Sequence, residues 1–209
     1  MPYQVMVVDD QNMSRKLFEM MVKSSPRYEV AFSLDSATLA PIYASRYPVD
    51  LVILDVVMKE GMNGLEAAER IKSVSPSTKI LIVTSMPEFS YLERARQIGC
   101  ESFWYKEASD QELLDVMDRT MAGESIYPVS SPAVRLGQAM STELTRSELA
   151  VLKEMSTGAS NQQIAERLFI SVTTVKTHIS NLLQKTGFSN RTELAIEARV
   201  QGLVISEVK

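Results

Sequence analysis

Short runs of apolar residues alternate along the first part of the chain with longer stretches of helical periodicity. The runs show almost no polar alternation, which is typical of strands buried on both faces of a sheet. We predict strands at residues 4–8, 29–32, 51–54, 80–83 and 102–105. The stretches between them place apolar residues three or four positions apart, which predicts amphipathic helices at residues 14–23, 36–46, 65–74, 88–98 and 111–122.

Two of these helices have a sequence signal for their first turn. Asn63 and Glu66, and in the same way Ser109 and Glu112, have the spacing of a capping box, in which two side chains satisfy unpaired backbone N–H groups. Five β/α repeats of this length predict a parallel sheet with helices on both faces, which is a doubly wound α/β fold.

The pattern changes after residue 122. Proline, serine and glycine punctuate residues 123–142 without a sustained apolar period, which indicates a linker; a short helix near residues 133–140 is compatible with it. We therefore divide the chain into an α/β domain at residues 1–122, a linker at 123–142 and an all-α domain at 143–209.

The C-terminal domain has helix start signals at regular intervals. Capping-box spacings occur at Thr145 and Glu148, at Ser160 and Gln163, and at Asn190 and Glu193, and Ser171 is a further N-cap residue. These signals predict four helices.

The two parts of the chain differ in their balance of charged residues. Residues 1–144 carry 14 basic and 20 acidic side chains, whereas residues 145–209 carry 8 and 6. An acidic first part joined to a mildly basic second part is typical of a regulatory domain attached to a polyanion-binding one. The chain has one cysteine, no signal-peptide pattern and no apolar run near the ~20 residues of a membrane span, so we expect a soluble cytoplasmic protein.

Polar residues follow four of the predicted strands. Asp9 and Asp10 follow the first strand, Asp55 the third, Thr84 the fourth and Lys106 the fifth. Open α/β sheets bind ligands at the carboxyl ends of their strands, so we expect these side chains to converge. Three carboxylates repel each other unless a cation intervenes, and an all-oxygen site that also receives phosphate suits Mg²⁺. We infer a site that holds a phosphoryl group, with Asp55 as the oxygen nucleophile.

Residues 1–122 resemble the receiver domain of two-component response regulators, which has a flavodoxin-like (βα)5 fold. The motifs that carry the resemblance are Asp9-Asp10, Asp55-x-x-Met58, Gly64, Thr84-Ser85 and Phe103-x-x-Lys106. The resemblance implies that Asp55 accepts phosphate from a sensor histidine kinase.

The resemblance also implies roles for the residues around Asp55. Asp10, Asp55 and the backbone carbonyl of Val57 would ligate Mg²⁺, and Asp9 would act on the ion through water. Lys106 would pair with the phosphoryl oxygens.

Two other residues, Thr84 and Phe103, would form the switch that responds to phosphorylation. The chain departs from the receiver pattern just after the phosphoacceptor, because the family commonly has Met-Pro where this sequence has Met58-Lys59. The loop at residues 58–64 is also one residue longer than usual, and this loop adjoins the residues that the resemblance assigns to the metal and the phosphoryl group.

The predicted helix at residues 172–186 has two contrasting faces. One face is apolar and suits anchoring in a core; it comprises Val175, Ile179, Leu182 and Leu183. The opposite face is polar and almost free of acids, which suits a DNA groove, with an ordinary solvated surface as the alternative.

Residues 143–205 resemble the LuxR-type helix-turn-helix domain of NarL/FixJ response regulators. The matching motifs are Leu144-Thr145-x-x-Glu148-x-x-Val151-Leu152, Ser160-Asn161-x-x-Ile164-Ala165 and Thr174-Val175-Lys176-Thr177-His178-Ile179-Ser180-Asn181. We predict that the polar face of the third helix contacts double-stranded DNA through Thr173, Thr174, Lys176, Thr177, Ser180 and Asn181.

The fourth helix is the usual dimerisation element of this family. Its apolar residues Leu194, Ala198 and Leu203 have a spacing that suits dimerisation and core packing equally well. We expect a homodimer on DNA.

These features predict a phosphorylation-controlled, DNA-binding transcriptional regulator whose only catalysis is self-phosphorylation from phosphodonors and slow autodephosphorylation. A constitutive DNA-binding regulator, with a receiver used only for protein contacts, is the main alternative. A phosphatase that forms an aspartyl-phosphate generally has a second acid two residues after the nucleophile, where this chain has Val57. A LuxR-type regulator that senses a small molecule lacks support, because the N-terminal domain resembles a receiver.

Overall fold

The computed structural model describes residues 1–106 and 112–204, and the chain forms two compact units. The first unit comprises Met1–Ser85 and Ser90–Ser130, and the second comprises Met86–Phe89 and the chain from Ser131 onward. Among the described residues, no helix has the length and the apolar character needed to cross a membrane.

The first unit is built on five parallel strands. They are β1 (Tyr3–Val8), β2 (Tyr28–Leu34), β3 (Leu51–Asp55), β4 (Lys79–Thr84) and β5 (Ser102–Tyr105). Their order in the sheet is β2-β1-β3-β4-β5, so the doubly wound parallel sheet is confirmed. Residues 5–8, 51–54 and 80–83 have no exposed surface, as expected for central strands covered on both faces.

Five helices flank this sheet along the described chain. They are α1 (Asn12–Lys23), α2 (Ala40–Arg46), α3 (Gly64–Val74), α4 (Ser90–Ile98) and α5 (Leu113–Met121). The helix predicted at residues 36–46 is divided into a 3₁₀ turn at Ala37–Leu39, capped by the Ser36 side chain, and α2. Of the two predicted capping signals, the Asn63 side chain accepts from the Glu66 N–H, whereas Ser109 lies outside the described residues.

The second unit contains the four predicted helices after a small hairpin. Its elements are β6 (Arg135–Leu136), β7 (Ala139–Met140), a 3₁₀ turn at Ser141–Glu143, α6 (Arg146–Ser156), α7 (Asn161–Leu168), α8 (Val172–Thr186) and α9 (Arg191–Val200). The capping boxes that begin α6 and α7 are formed in both directions, and Ser171 and Asn190 cap α8 and α9. All four helix starts are therefore confirmed.

The prediction of a short helix near residues 133–140 is wrong, because this segment forms the antiparallel hairpin of β6 and β7. Gly137 turns the hairpin with a φ of +62°, and a Cβ there would lie 2.2 Å from the Thr186 carbonyl oxygen. Leu136 belongs to the hydrophobic core of the unit, and Ala139 is buried. The hairpin therefore packs against the end of α8 instead of forming an independent helix.

The apolar residues of α9 divide between the core and the surface. Leu194, Ala198 and the following Leu203 are at most 2% exposed and belong to the core of the unit, so core packing accounts for their spacing. The exposed apolar side chains of the helix are Ile196 (58%) and Val200 (72%). A partner contacting α9 would meet these two residues.

Candidate functional site

Three carboxylates meet at the carboxyl ends of β1 and β3. The two strands pair in parallel with Val8 opposite Leu54, so the acids that follow β1 lie beside the acid that ends β3. Asp9, Asp10 and Asp55 each offer an oxygen within 4.8 Å of the others. Asp9 and Asp55 are buried, whereas Asp10 is partly exposed. A cluster of this kind can hold a metal ion, and its all-oxygen donors suit Mg²⁺.

The Lys106 ammonium bridges two of these acids. Its Nζ atom lies 2.7 Å from Asp9 Oδ2 and 3.0 Å from Asp55 Oδ2, and it also donates to Ser14 Oγ at 3.1 Å. An ammonium has three donors, so these three acceptors can use all of them. One ammonium among three carboxylates leaves the cluster with an excess of negative charge, which favours a cation.

The ionisation of Asp55 reflects this setting. Burial, which disfavours the charged form, raises the pKa of Asp55 to about 6. The Lys106 ammonium lowers this pKa, and the Asp9 carboxylate raises it further. The backbone N–H of Val57 also lowers it, because it stabilises the charged form. At neutral pH the carboxylate is therefore mainly ionised and can act as a nucleophile, although its charge is poorly solvated.

The backbone around Asp55 is tightly packed against the start of α3. The Gly64 N–H donates to the Val56 carbonyl at 2.9 Å. A Cβ on Gly64 would lie 1.9 Å from the Asp55 carbonyl oxygen, so a larger residue cannot take this place without moving the strand end. The glycine of the sequence motif therefore fixes how α3 approaches the phosphoacceptor candidate.

Thr84 and Phe103 both lie in the interior of the first unit. Thr84 ends β4 with no exposed surface, and its carbonyl accepts from the Lys106 N–H at 3.0 Å. Phe103 is 1% exposed, and its ring centroid lies 5.0 Å from that of Tyr105 and 6.2 Å from that of Tyr127. A rearrangement of either side chain would have to move neighbours in a packed region.

The start of α1 adds residues that the sequence patterns did not identify. Ser14 Oγ donates to Asp9 Oδ2 at 2.5 Å, and Arg15 Nη1 donates to the Asp9 carbonyl at 2.6 Å. The Gln11 N–H donates to Asp9 Oδ1 at 2.8 Å. Polar residues on a predicted amphipathic helix indicate its surface, but α1 begins only two residues after the acids and so turns these groups toward them.

The loop after β3 also contacts the cluster in an unpredicted way. The backbone N–H of Lys59 donates to Asp10 Oδ2 at 2.6 Å. This contact falls at the position where the sequence departs from the Met-Pro pattern, and a proline there would have no N–H to donate.

Helix α8 separates an anchored face from an exposed one. Val175, Ile179 and Leu182 are buried in the core, and Leu183 packs against that core from a partly buried position. The predicted DNA-contacting residues are exposed or partly exposed; they are Thr173, Thr174, Lys176, Thr177, Ser180 and Asn181. The polar face of α8 is therefore accessible to solvent.

A concave surface lies beside this face of α8. It is lined by Lys176, Ser180, Asn161 and Arg191, among others. Arg191 joins the starts of α9 and α7, because its guanidinium donates to Asn161 Oδ1 at 2.8 Å and to the Ala159 carbonyl at 2.9 Å. Sequence spacing alone could not relate these residues, which are about 30 positions apart.

Comparison with known proteins gives two family matches. Residues 5–118 match the response regulator receiver domain, and residues 142–198 match the luxR family of bacterial regulatory proteins. The response regulator protein VraR of Staphylococcus aureus is 32% identical over 210 residues, which cover 98% of this chain and 100% of VraR. The uncharacterized transcriptional regulatory protein YxjL of Bacillus subtilis is 30% identical over 211 residues, with 96% of each chain covered.

A solved structure extends the likeness to the fold of both parts. RcsB from Salmonella enterica serovar Typhimurium, solved bound to promoter DNA in the presence of the phosphomimetic BeF3-, aligns with a TM-score of 0.64 at 17% identity. The alignment covers 94% of this chain and 98% of that one. At this level of identity the likeness shows a common fold.

Proposed function

Since this chain belongs to the response regulators, with a receiver domain followed by a luxR-family DNA-binding domain, we propose that Asp55 is its phosphoacceptor and Mg²⁺ its cofactor. The protein is a phosphorylation-controlled regulator of transcription. The observation that carries the assignment is the buried Asp55 carboxylate held by the Lys106 ammonium beside Asp9 and Asp10.

The chemistry follows from what each side chain can do. An Asp55 oxygen attacks the phosphorus of a phosphohistidine on the kinase, so that an O–P bond forms while the N–P bond breaks. The leaving imidazole nitrogen takes up a proton. Lys106 already contacts Asp55, and it can turn one of its three donors from Ser14 to a phosphoryl oxygen without leaving Asp9.

Asp10, Asp55 and the Val57 carbonyl would hold the Mg²⁺ ion, and Asp9 would act through water. When bound, the ion supplies positive charge that offsets repulsion between the carboxylates and the incoming phosphoryl oxygens. The same acidic cluster would support self-phosphorylation from small phosphodonors and slow autodephosphorylation.

The exposed face of α1 suits docking of the kinase. Met13, Leu17 and Met20 follow one another at helical spacing and are 82%, 55% and 68% exposed. The neighbouring Ser14 contacts Asp9 and Lys106, so this apolar stripe adjoins the phosphoacceptor cluster. A kinase domain seated on the stripe would have its phosphohistidine close to the strand ends.

Phosphorylation adds about −1.5 to −2 charge at Asp55, and we assign Thr84 and Phe103 to the packing change that follows. The output is DNA binding through the polar face of α8. Two copies would associate through Ile196 and Val200 on α9 and read half-sites about one helical turn apart.

Phosphoryl incorporation tests this proposal. The wild-type chain and Asp55→Asn would be incubated with acetyl phosphate and Mg²⁺, and their masses compared. We expect the wild type to gain one phosphoryl group and the variant to gain none. Incorporation by both would place the acceptor elsewhere, and incorporation by neither, with DNA binding intact, would favour the constitutive regulator.

A further inference from the structure

The loop between β3 and α3 contributes a backbone group to the acidic cluster. The Lys59 backbone N–H donates to Asp10 Oδ2, with 2.6 Å between the nitrogen and the oxygen, which is short for an N–H···O bond. The Lys59 side chain is exposed. Position 59 therefore contacts Asp10 through its backbone N–H and not through its side chain.

The loop is fixed on both sides of this amide. On one side, Lys59 follows Asp55, the last residue of the buried strand β3, by four residues. On the other side, Met62 is buried and Asn63 caps α3 through the Glu66 N–H at 2.9 Å. The loop is therefore anchored at both ends, and between these anchors the Lys59 N–H donates to Asp10.

We propose that the Lys59 amide is a positioning group that orients Asp10 for the cation. A carboxylate has two oxygens, and the amide occupies one of them, which leaves the other for the ion. Carboxylates that ligate metals are commonly hydrogen-bonded through such second partners, and loss of a partner typically lowers metal affinity about 10- to 100-fold. The inference rests on the proposed function, in which Asp10 ligates Mg²⁺.

This assignment gives the departure from Met-Pro a physical consequence. A proline at position 59 would supply no donor, so Asp10 would have to be oriented by other means. Here the longer loop itself supplies the donor, so cation binding depends on where the loop holds the Lys59 amide.

Two substitutions at one position separate the amide from the side chain. Lys59→Pro removes the N–H, whereas Lys59→Ala removes the side chain and keeps the N–H. Mg²⁺ would be titrated into the ¹⁵N-labelled full chain, and the amide signals of Val56 and Val57 would report the Kd. We expect Lys59→Ala to bind as the wild type does and Lys59→Pro to bind at least about tenfold more weakly.

Equal Mg²⁺ affinity for Lys59→Pro and Lys59→Ala would overturn the inference while leaving the cation site in place. A wild-type chain that shows no response to Mg²⁺ would overturn the cation site itself, and the inference with it. Hydrogen exchange of the Lys59 amide in the wild type gives a second test that requires no variant. Slow exchange, with or without Mg²⁺, supports the bond to Asp10, and exchange at the rate of an open chain contradicts it.

Discussion

The receiver unit draws its functional side chains from four separate segments, whereas the DNA-binding unit presents its predicted contacts on one helix. The acidic cluster needs β1, β3, β5 and α1 to be in place, since Asp9, Asp55, Lys106 and Ser14 come from these four regions. The polar face of α8 needs only that Val175, Ile179 and Leu182 anchor the helix.

The acidic cluster and the polar face of α8 also differ in their electrostatics. Asp9, Asp55 and Lys106 are at most 12% exposed at their side chains, so their interactions are strong and each depends on the others. Lys176, Thr177 and Ser180 are exposed, so the DNA contacts proposed for them would be made in water and each should contribute modestly. Substitutions in the cluster should therefore have large, coupled effects, and those on α8 should have graded, salt-dependent ones.

Loss of the Lys106 ammonium should have the largest effect. Lys106→Met leaves the buried carboxylates of Asp9 and Asp55 without their cation, and breaking a buried pair in this way typically costs about 3–5 kcal/mol. Urea unfolding at pH 7 in EDTA would measure the loss. The double variant Lys106→Met with Asp9→Asn should recover part of the lost free energy of unfolding. If the effects of the two substitutions were simply additive, the predicted coupling between Lys106 and Asp9 would be contradicted.

The ionisation of Asp55 should make stability depend on pH in a defined direction. Because its folded pKa of about 6 lies above the ordinary value of 3.8, the folded state binds the proton more tightly. The stabilising contribution of this proton is complete below pH 3.8 and is lost as the pH rises through about 6.

Asp55→Asn should therefore raise the free energy of unfolding at pH 7, without metal, by about 1–3 kcal/mol. The gain should disappear below about pH 4, where the wild-type carboxyl is protonated in both states. Urea titrations of both chains across this pH range in EDTA check the sign. A gain that stays constant with pH would show that the substitution acts through packing instead of charge.

On α8, loss of one exposed cation should weaken DNA binding without affecting the receiver chemistry. Lys176→Ala should weaken binding to specific and non-specific duplexes alike, by up to about tenfold, and lower the salt dependence by about one counterion. Lys23→Ala, which removes the same charge from α1, is the matched control. Fluorescence anisotropy at several salt concentrations measures the DNA affinity of both variants. An equal loss of affinity in the two would indicate a general effect of charge and not a contact made by Lys176.

Ser14→Ala should have the smallest effect of the four. It removes one hydrogen bond to Asp9 and one acceptor of Lys106 while leaving the ion pair intact, so a loss of about 1 kcal/mol in stability is expected. Ser24→Ala, at the exposed end of the same helix, is the control for an ordinary serine. Urea unfolding measures the free energy of unfolding of both variants. Equal values would show that the contacts of Ser14 with Asp9 and Lys106 do not stabilise the protein.

In both units, the features that could be predicted from the sequence are those that depend on local patterns or on strand order. The strands, the capping boxes and the two faces of α8 were predictable because each depends on neighbours a few positions apart. The convergence of Asp9, Asp10 and Asp55 was predictable because parallel strands place their carboxyl ends together.

The contacts that escaped prediction have no local signal. The Lys59 amide meets an acid 49 positions away through a backbone group that every residue except proline possesses. The hairpin of β6 and β7 has two-residue strands, too short for periodicity, and Gly137 is required there by Thr186, which is distant in sequence. Long-range packing, and not residue type, determines these features.

The most direct test of phosphorylation control is the affinity of the full chain for its DNA before and after phosphorylation at Asp55. Operator sites selected from a random duplex pool would be titrated with the wild type and with Asp55→Asn, each with and without acetyl phosphate and Mg²⁺. We predict that phosphodonor strengthens DNA binding by the wild type and leaves the variant unchanged. Equal affinity in all four conditions would contradict phosphorylation control and leave a constitutive DNA-binding protein.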